Sequence, residues 1–320
     1  MGMKLSNLEC VLALDAGGTG IKLGLATSRA ADEGILDLDE ISMPSDGSVE
    51  DIEAAYARAA GIGMACASGR GLEIAGVGVS TPGPFDYANG VSMMSHKCAA
   101  IKGMSVRAFI SRAFIGKAAG PAPVRFIHDA FAFLLGELAF GAGCPEGAAA
   151  EAAAPSRSPC AATIGTGLGF AAIAEGKLLR GPEGGPAISI YKSPYRRGIA
   201  EDYVSKRGIM DCYERLGGFG RPGVKEIADR AKEGDALCAM VFEETGIHLA
   251  EILAPFILKG GFDRLILGGQ IAKAGTLLTE PTRRRFEVLG IRCPVSIARH
   301  IDEAPLLGAA QLFLGEEALS

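Results

Sequence analysis

Residues 11–26 read VLALDAGGTGIKLGLA, and this stretch limits the possible folds more than any other. Val11, Leu12, Ala13 and Leu14 form a short apolar run that suits a buried strand, and Asp15 ends it. Gly17, Gly18, Thr19 and Gly20 then make a turn without bulky side chains, where backbone N–H groups can close on an anion. Ile21, Leu23 and Leu25 alternate with Lys22, Gly24 and Ala26, the period of a second strand. The order is strand, glycine turn, strand. A dinucleotide fold would place a helix after the glycines. Here a phosphate would sit in a hairpin turn with Asp15 beside it.

The 320 residues suffice for two domains with separate cores. The formal charge of −5 and the lack of a basic cluster argue against nucleic acid as a partner. The eight cysteines form no CxxC pair and read as reduced thiols of a cytoplasmic protein. No apolar run approaches a membrane span, and Lys4 and Glu9 interrupt any signal-peptide core, so no membrane partner is expected.

Further along, residues 48–68 read as a helix and 72–80 as a strand ending in the rigid turn Thr81, Pro82, Gly83, Pro84. A helix over 105–115 and a short strand over 124–127 follow, then His128 and Asp129, then an apolar helix ended by Gly141. Residues 141–159 have little to bury and read as a surface loop. Residues 161–179 repeat the opening theme around Gly165, Thr166, Gly167 and Gly169. Two such hairpins predict two related domains facing a shared cleft. A helix over 236–259, strands over 264–267 and 295–298, and a terminal helix from Pro305 complete the pattern; Gly268 and Gly269 follow the first of those strands. Alone, Asp129 also reads as a helix N-cap, Asp15 as a turn residue, and Gly268 with Gly269 as an ordinary turn. Lys22 reads as a solvated strand lysine and His248 as a packed or surface histidine.

The chain resembles the ROK family (repressors, open reading frames, kinases) of actin-like sugar kinases almost end to end. The likeness rests on LDAGGTGIKLGLA at 14–26, VGVSTPGPFD at 77–86, HDAFAFLLGELAFGAG at 128–143, IGTGLGFAAIAEGKL at 164–178, LILGGQIAKAG at 265–275 and LLGAAQLF at 306–313. It implies an α/β fold, the two-domain actin-like (ribonuclease H-like) sugar kinase fold with an interdomain cleft. The implied small N-terminal domain spans 1–124 and is joined by the C-terminal helix 305–320; the larger domain spans 125–304. The implied activity is ATP- and Mg²⁺-dependent transfer of phosphate to a hydroxyl of a sugar or sugar derivative. Gly17, Gly18 and Thr19 would line the donor phosphates, with Gly165, Thr166 and Gly167 from the second domain. Asp15 would hold Mg²⁺ through water, Gly268 and Gly269 would let adenine pack on backbone, and Asp129 would be the catalytic base. Gly83, His128 and Asp129 would meet the sugar. A homo-oligomer, a dimer, is expected.

The chain departs from the family pattern near the acceptor. The usual Asn-Asp-Ala-Asn reads His128, Asp129, Ala130, Phe131. The usual Glu-Ile-Gly-His segment falls on 185–190, with Ala187 and Ile190 at the sugar-contacting positions. Residues 191–205 hold no Cys or His, so no zinc is expected. Gly20 stands where many relatives have lysine. Polar residues that could rebuild a pocket are Asn89, His96, Lys97, Ser189, Tyr191, Lys192, Arg196 and Arg197. A modified or charged sugar is therefore expected over glucose. Two other functions fit the residues: a non-catalytic ROK-like ligand-binding or regulatory protein, and a kinase using inorganic polyphosphate, whose glycine turn the GGTG stretch resembles.

Overall fold

The computed structural model describes residues 5–95, 97–115, 122–142 and 156–315. Most of the expected loop 141–159 lies outside the described residues, as do His96 and residues 316–320 of the expected terminal helix. The chain divides into two compact units.

The first unit takes in residues 1–141, 180–187 and 303–320. Its strands are β1 (Glu9–Ala16), β2 (Gly20–Thr27), β3 (Leu36–Ser42), β4 (Glu73–Thr81), β5 (Phe85–Asp86), β6 (Val91–Ser92) and β7 (Val124–His128). Its helices up to residue 141 are α1 (Ala30–Glu33), α2 (Val49–Gly69), α3 (Val106–Ala113) and α4 (Asp129–Phe140). The helix predicted over 48–68 is α2. Ser48 caps it: its Oγ accepts the Asp51 N–H at 3.1 Å, and the Asp51 carboxylate accepts the Ser48 N–H at 3.0 Å. The main sheet runs β3-β2-β1-β4-β7, antiparallel up to β1 and parallel beyond it.

The apolar run in β1 is explained by burial on both faces of this sheet. Leu12 and Leu14 join a core with Ile52, Tyr56 and Phe109. Val11 and Ala13, one residue out of phase, join a second core with Leu306, Ala310 and Phe313. Gly20 pairs with Ser42 across β2 and β3, and a Cβ there would lie 2.7 Å from the Ile41 carbonyl oxygen. The lysine that the family resemblance leads one to expect here has no room at this position.

The second unit takes in residues 142–179 and 188–302. Its strands are β8 (Pro159–Ile164), β9 (Leu168–Ala174), β10 (Lys177–Leu178), β11 (Pro194–Tyr195), β12 (Gly198–Ile199), β13 (Arg264–Gly268) and β14 (Val295–Ile297). Its helices are α5 (Ala200–Tyr203), α6 (Lys206–Arg215), α7 (Val224–Lys232), α8 (Ala236–Gly260) and α9 (Thr276–Val288). The sheet runs β10-β9-β8-β13-β14. It too is antiparallel up to the hairpin's first strand and parallel beyond it. Each unit therefore repeats one plan, with its glycine turn joining the first two strands of the hairpin.

The last helix, α10 (Ala304–Leu314), returns to the first unit and packs on α4. The two backbones nearly touch. A Cβ on Gly308 would lie 1.8 Å from the Ala132 carbonyl oxygen, and one on Gly136 2.1 Å from that of Ala304. The division of the chain differs from the one expected at 124/125. β7 pairs with β4, and α4 packs on α10, so residues 125–141 belong with the first unit.

Candidate active site

In the first unit, β1 delivers Asp15 to the edge of the glycine turn, which the Gly17 N–H closes by donating to the Gly20 carbonyl at 2.9 Å. Gly17 and Thr19 are exposed there. Parallel pairing of β1 with β4 sets Asp15 opposite Ser80, whose buried hydroxyl donates to Asp15 Oδ1 at 2.7 Å. Ser80 was not foreseen, because nothing local to either strand reveals their register. Burial pushes the Asp15 carboxyl up to about 6 despite the Ser80 bond; Asp129 and Glu40 add to the rise and Lys22 opposes it. Lys22 thus acts on Asp15 from the neighbouring strand.

That shift has a sign that can be tested. An acid whose pKa is raised on folding adds stability below its unfolded value, near 4, and that contribution is lost as pH rises through about 6. We expect Asp15→Asn to stabilise the ligand-free protein above pH ~6 by about 1–2 kcal/mol, with the gain vanishing toward pH ~4. Thermal melts of both proteins across this range check it. A gain that grows toward low pH would contradict the assignment.

Asp129 stands at the first turn of α4, one residue inside the helix. The capping position belongs to His128, so the N-cap reading of Asp129 is corrected by one residue. His128 Nδ1 lies 2.8 Å from Asp129 Oδ1 and 3.2 Å from the Ala130 amide nitrogen. The ring nitrogen can serve one of these. The shorter contact places its proton toward the carboxylate, and Ala130 N–H donates to Asp129 Oδ1 at 2.7 Å. Both bonds fall on Oδ1, which leaves Oδ2 to receive a proton. Desolvation raises the Asp129 pKa. The bond and charge of His128, the Ala130 N–H and the charge of Lys97 outweigh it, so the carboxyl sits below its ordinary range. The side chain is nonetheless 46% exposed, so a substrate can reach it.

Around the pair, Tyr87 stacks at a tilt on His128 with centroids 5.9 Å apart. Gly83 completes the group: a Cβ there would meet Tyr87 Oη at 3.3 Å and His128 Cδ2 at 3.6 Å. Residues 180–187 close against it, with Gly185 facing His128 and the Arg180 guanidinium 5.6 Å from the Phe131 centroid. Gly83, His128 and Asp129 are thus brought together. Tyr87 and Arg180 are additions.

The second unit holds the other turn, where the Gly165 N–H donates to the Gly167 carbonyl at 2.9 Å. Glu201 locks it: its carboxylate accepts the Leu168 N–H at 3.0 Å, and a Cβ on Gly167 would lie 2.6 Å from Oε2. Gly165 and Thr166 open onto a pocket of about 410 Å³ lined by Val224, Ala228, Phe242, Ile271 and Ala274, with Lys206, Lys225, Lys232, Lys273 and Gln270. Apolar walls with a few polar groups at this size suit a flat ring system. Gly268 ends β13 and Gly269 follows it, but Gly269 has φ +79° and a Cβ on it would lie 2.3 Å from the Ile164 carbonyl oxygen. What its missing side chain admits is the end of β8, and the pocket wall begins at Gln270.

Several acceptor candidates have other surroundings. Ile190 is buried in the core of the second unit, and Ala187 is exposed in the first. Arg196 and Arg197 line a pocket of about 740 Å³ in the second unit, with Arg215, Glu244 and His248. Its arginines are largely paired: Arg196 with Glu251 at 3.3 Å, and Arg215 with Glu244. His248, which the sequence leaves as packed or surface, is packed, with burial first pressing its pKa down to about 4 and Tyr195 Oη 2.9 Å from its Nδ1. Among the described residues, no three His, Cys, Asp or Glu side chains converge on a metal position. No helix among them is long and apolar enough to cross a membrane.

The duplicated hairpin sheets and their glycine turns define the α/β two-domain actin-like fold of sugar kinases. The sequence profile of the ROK family matches residues 11–316, and the chain belongs to that family. It is 25% identical to a glucokinase of Thermotoga maritima over 271 residues, 76% of this chain and 80% of that enzyme. It is 28% identical to an N-acetylmannosamine kinase of Escherichia coli over 165 residues, 48% of this chain and 56% of that one. In fold it is similar to a ROK family glucokinase from Streptomyces griseus solved with glucose and AMPPNP. That likeness has a TM-score of 0.72 and 24% identity, over 95% of this chain and 98% of that one.

Proposed function

We propose that this protein is an ATP- and Mg²⁺-dependent kinase that phosphorylates a hydroxyl of a sugar or sugar derivative, with Asp129 as general base. The observation that carries the reading is the Asp129 carboxylate: anchored through Oδ1, open at Oδ2, and electrostatically coupled to Asp15 at the glycine turn. Phosphoryl transfer depends on positioning and charge neutralisation more than on covalent chemistry. An acceptor hydroxyl would bond to Asp129 Oδ2 and give up its proton as its oxygen bonds to phosphorus. The low basicity of Asp129 suits late proton transfer in a loose transition state. His128 holds the carboxylate's orientation by its bond to Oδ1.

Asp15 fits a magnesium role. Its ionised form is disfavoured by burial and by two nearby carboxylates, so a divalent cation would relieve the strain of charge. Among the described residues no cage of ligands surrounds Asp15, which matches a metal that keeps most of its waters. Bound Mg²⁺ would neutralise donor phosphate charge. Gly17, Gly18 and Thr19 would bind those phosphates through backbone N–H groups, and Gly165, Thr166 and Gly167 offer a second turn of the same kind for nucleotide phosphates. The apolar wall of Phe242 and Ile271 beside Thr166 gives an adenine ring a surface that polyphosphate would not need, and the lysines around it suit the phosphates of either donor.

The acceptor we infer is a modified or charged sugar. Ala187 and Ile190 offer no side-chain hydrogen bond to a hexose hydroxyl, and His128 replaces an amide. The open Oδ2 favours an enzyme over a non-catalytic binding protein. We also propose a cytoplasmic protein that works as a homo-oligomer. The test is phosphoryl transfer from ATP with Mg²⁺ to a panel of neutral, amino and acidic sugars, with polyphosphate competing as donor.

A further inference from the structure

We propose that Lys97 is a catalytic residue of this transfer, its ammonium neutralising the terminal phosphoryl group over the Gly17–Thr19 turn. The proposal rests on the kinase reading above. Lys97 is anchored from its carboxyl side. Cys98 is 4% exposed, its backbone is left-handed at φ 48°, and its N–H donates to the Ser45 carbonyl at 2.6 Å. From that fixed point the lysine arm runs across the turn. A Cβ built on Gly18 would lie 3.4 Å from each of Lys97 Cδ, Cε and Nζ. The arm therefore lies along the glycine turn, in van der Waals reach of position 18.

The same ammonium acts on the base. Its charge helps hold the Asp129 carboxyl ionised. One cation thus serves both the phosphate turn and the proton acceptor. Among the described residues it makes no hydrogen bond or ion pair, whereas Arg70 and Arg112 in the same unit pair with Asp37 and Glu53. An unpaired ammonium between an anion-binding turn and a carboxylate is placed for an anion that arrives with the substrates. Asp129 and Asp15 would repel a phosphoryl group brought to this turn, and Lys97 offsets that repulsion where charge builds on the equatorial oxygens. In the step, the acceptor oxygen bonds to the terminal phosphorus as the bridging P–O bond breaks. The acceptor proton passes to Asp129, and ADP leaves with the bridging oxygen.

Isothermal titration with Mg·ADP and with Mg·AMPPNP, on wild type, Lys97→Met and Lys97→Arg, tests the assignment. A group that touches only the terminal phosphoryl should separate these ligands. Lys97→Met should bind AMPPNP about tenfold or more weakly and ADP within about twofold of wild type, and Lys97→Arg should recover most of the difference. Turnover of Lys97→Met on any accepted sugar should fall on the order of 10²–10³-fold with little change in the sugar's KM. Equal losses for both nucleotides would show a merely structural role and overturn the proposal. Unchanged binding of both, with a raised KM for the sugar alone, would assign Lys97 to the acceptor and overturn it equally. Wild type that binds neither nucleotide would remove the kinase reading itself, a result distinct from either.

Discussion

Asp129→Asn should lower turnover on the order of 10²–10⁴-fold while nucleotide binding persists. The substitution keeps the shape of the side chain, and its amide oxygen can still accept the Ala130 N–H and the His128 proton at the place of Oδ1. What it loses is the proton-accepting atom at Oδ2. Stability should change little, because the side chain is 46% exposed and the asparagine oxygen keeps the Ala130 N–H bond. Steady-state kinetics beside nucleotide titration separate the two effects. Full activity in Asp129→Asn would move the base to His128, and His128→Ala would then be the decisive variant.

Gly308→Ala should destabilise the fold by about 3 kcal/mol or more. The added methyl would lie 1.8 Å from the Ala132 carbonyl oxygen, a backbone atom that no rotamer change can move. α10 would have to lift from α4, and Leu306, Leu307 and Phe313 would lose part of their packing against β1. Urea unfolding of the variant checks this, with a midpoint close to that of wild type as the contrary result. Gly315→Ala, at the end of the same helix where the nearest contact is the helix's own Gln311 carbonyl, serves as the milder comparison.

The two hairpins were legible because period-two alternation and glycine turns are local signals. Their repetition predicts two related domains, and the two sheets share one strand order. What lay beyond reach depends on register and on tertiary approach. Ser80 reaches Asp15 only because β4 runs parallel to β1 with those residues opposed. Glu201 reaches the second turn from a helix that is a single turn long, and nothing near Gly167 announces it. Lys97 reads in the sequence as one of several polar residues that could rebuild the acceptor pocket, and only the fold lays its side chain over Gly18. The unit boundary moved because residues 124–127, Val-Arg-Phe-Ile, form a short strand pattern that fits either sheet equally well. Its pairing with β4 assigns it. Gly269 illustrates the opposite case: its residue type was informative, but the close approach it serves is to Ile164. Ile190 carries the same lesson, since its apolar side chain answers to the core of the second unit.

The most direct measurement is transfer of radiolabel from [γ-³²P]ATP, with Mg²⁺, to a panel holding glucose, mannose, N-acetylmannosamine and their acidic and phosphorylated derivatives. A labelled sugar phosphate should form with at least one member, with equimolar ADP, far more slowly in Asp129→Asn, and with glucose among the poorer acceptors. Nucleotide binding without label in any sugar would contradict it and leave a protein that binds ligands without catalysis.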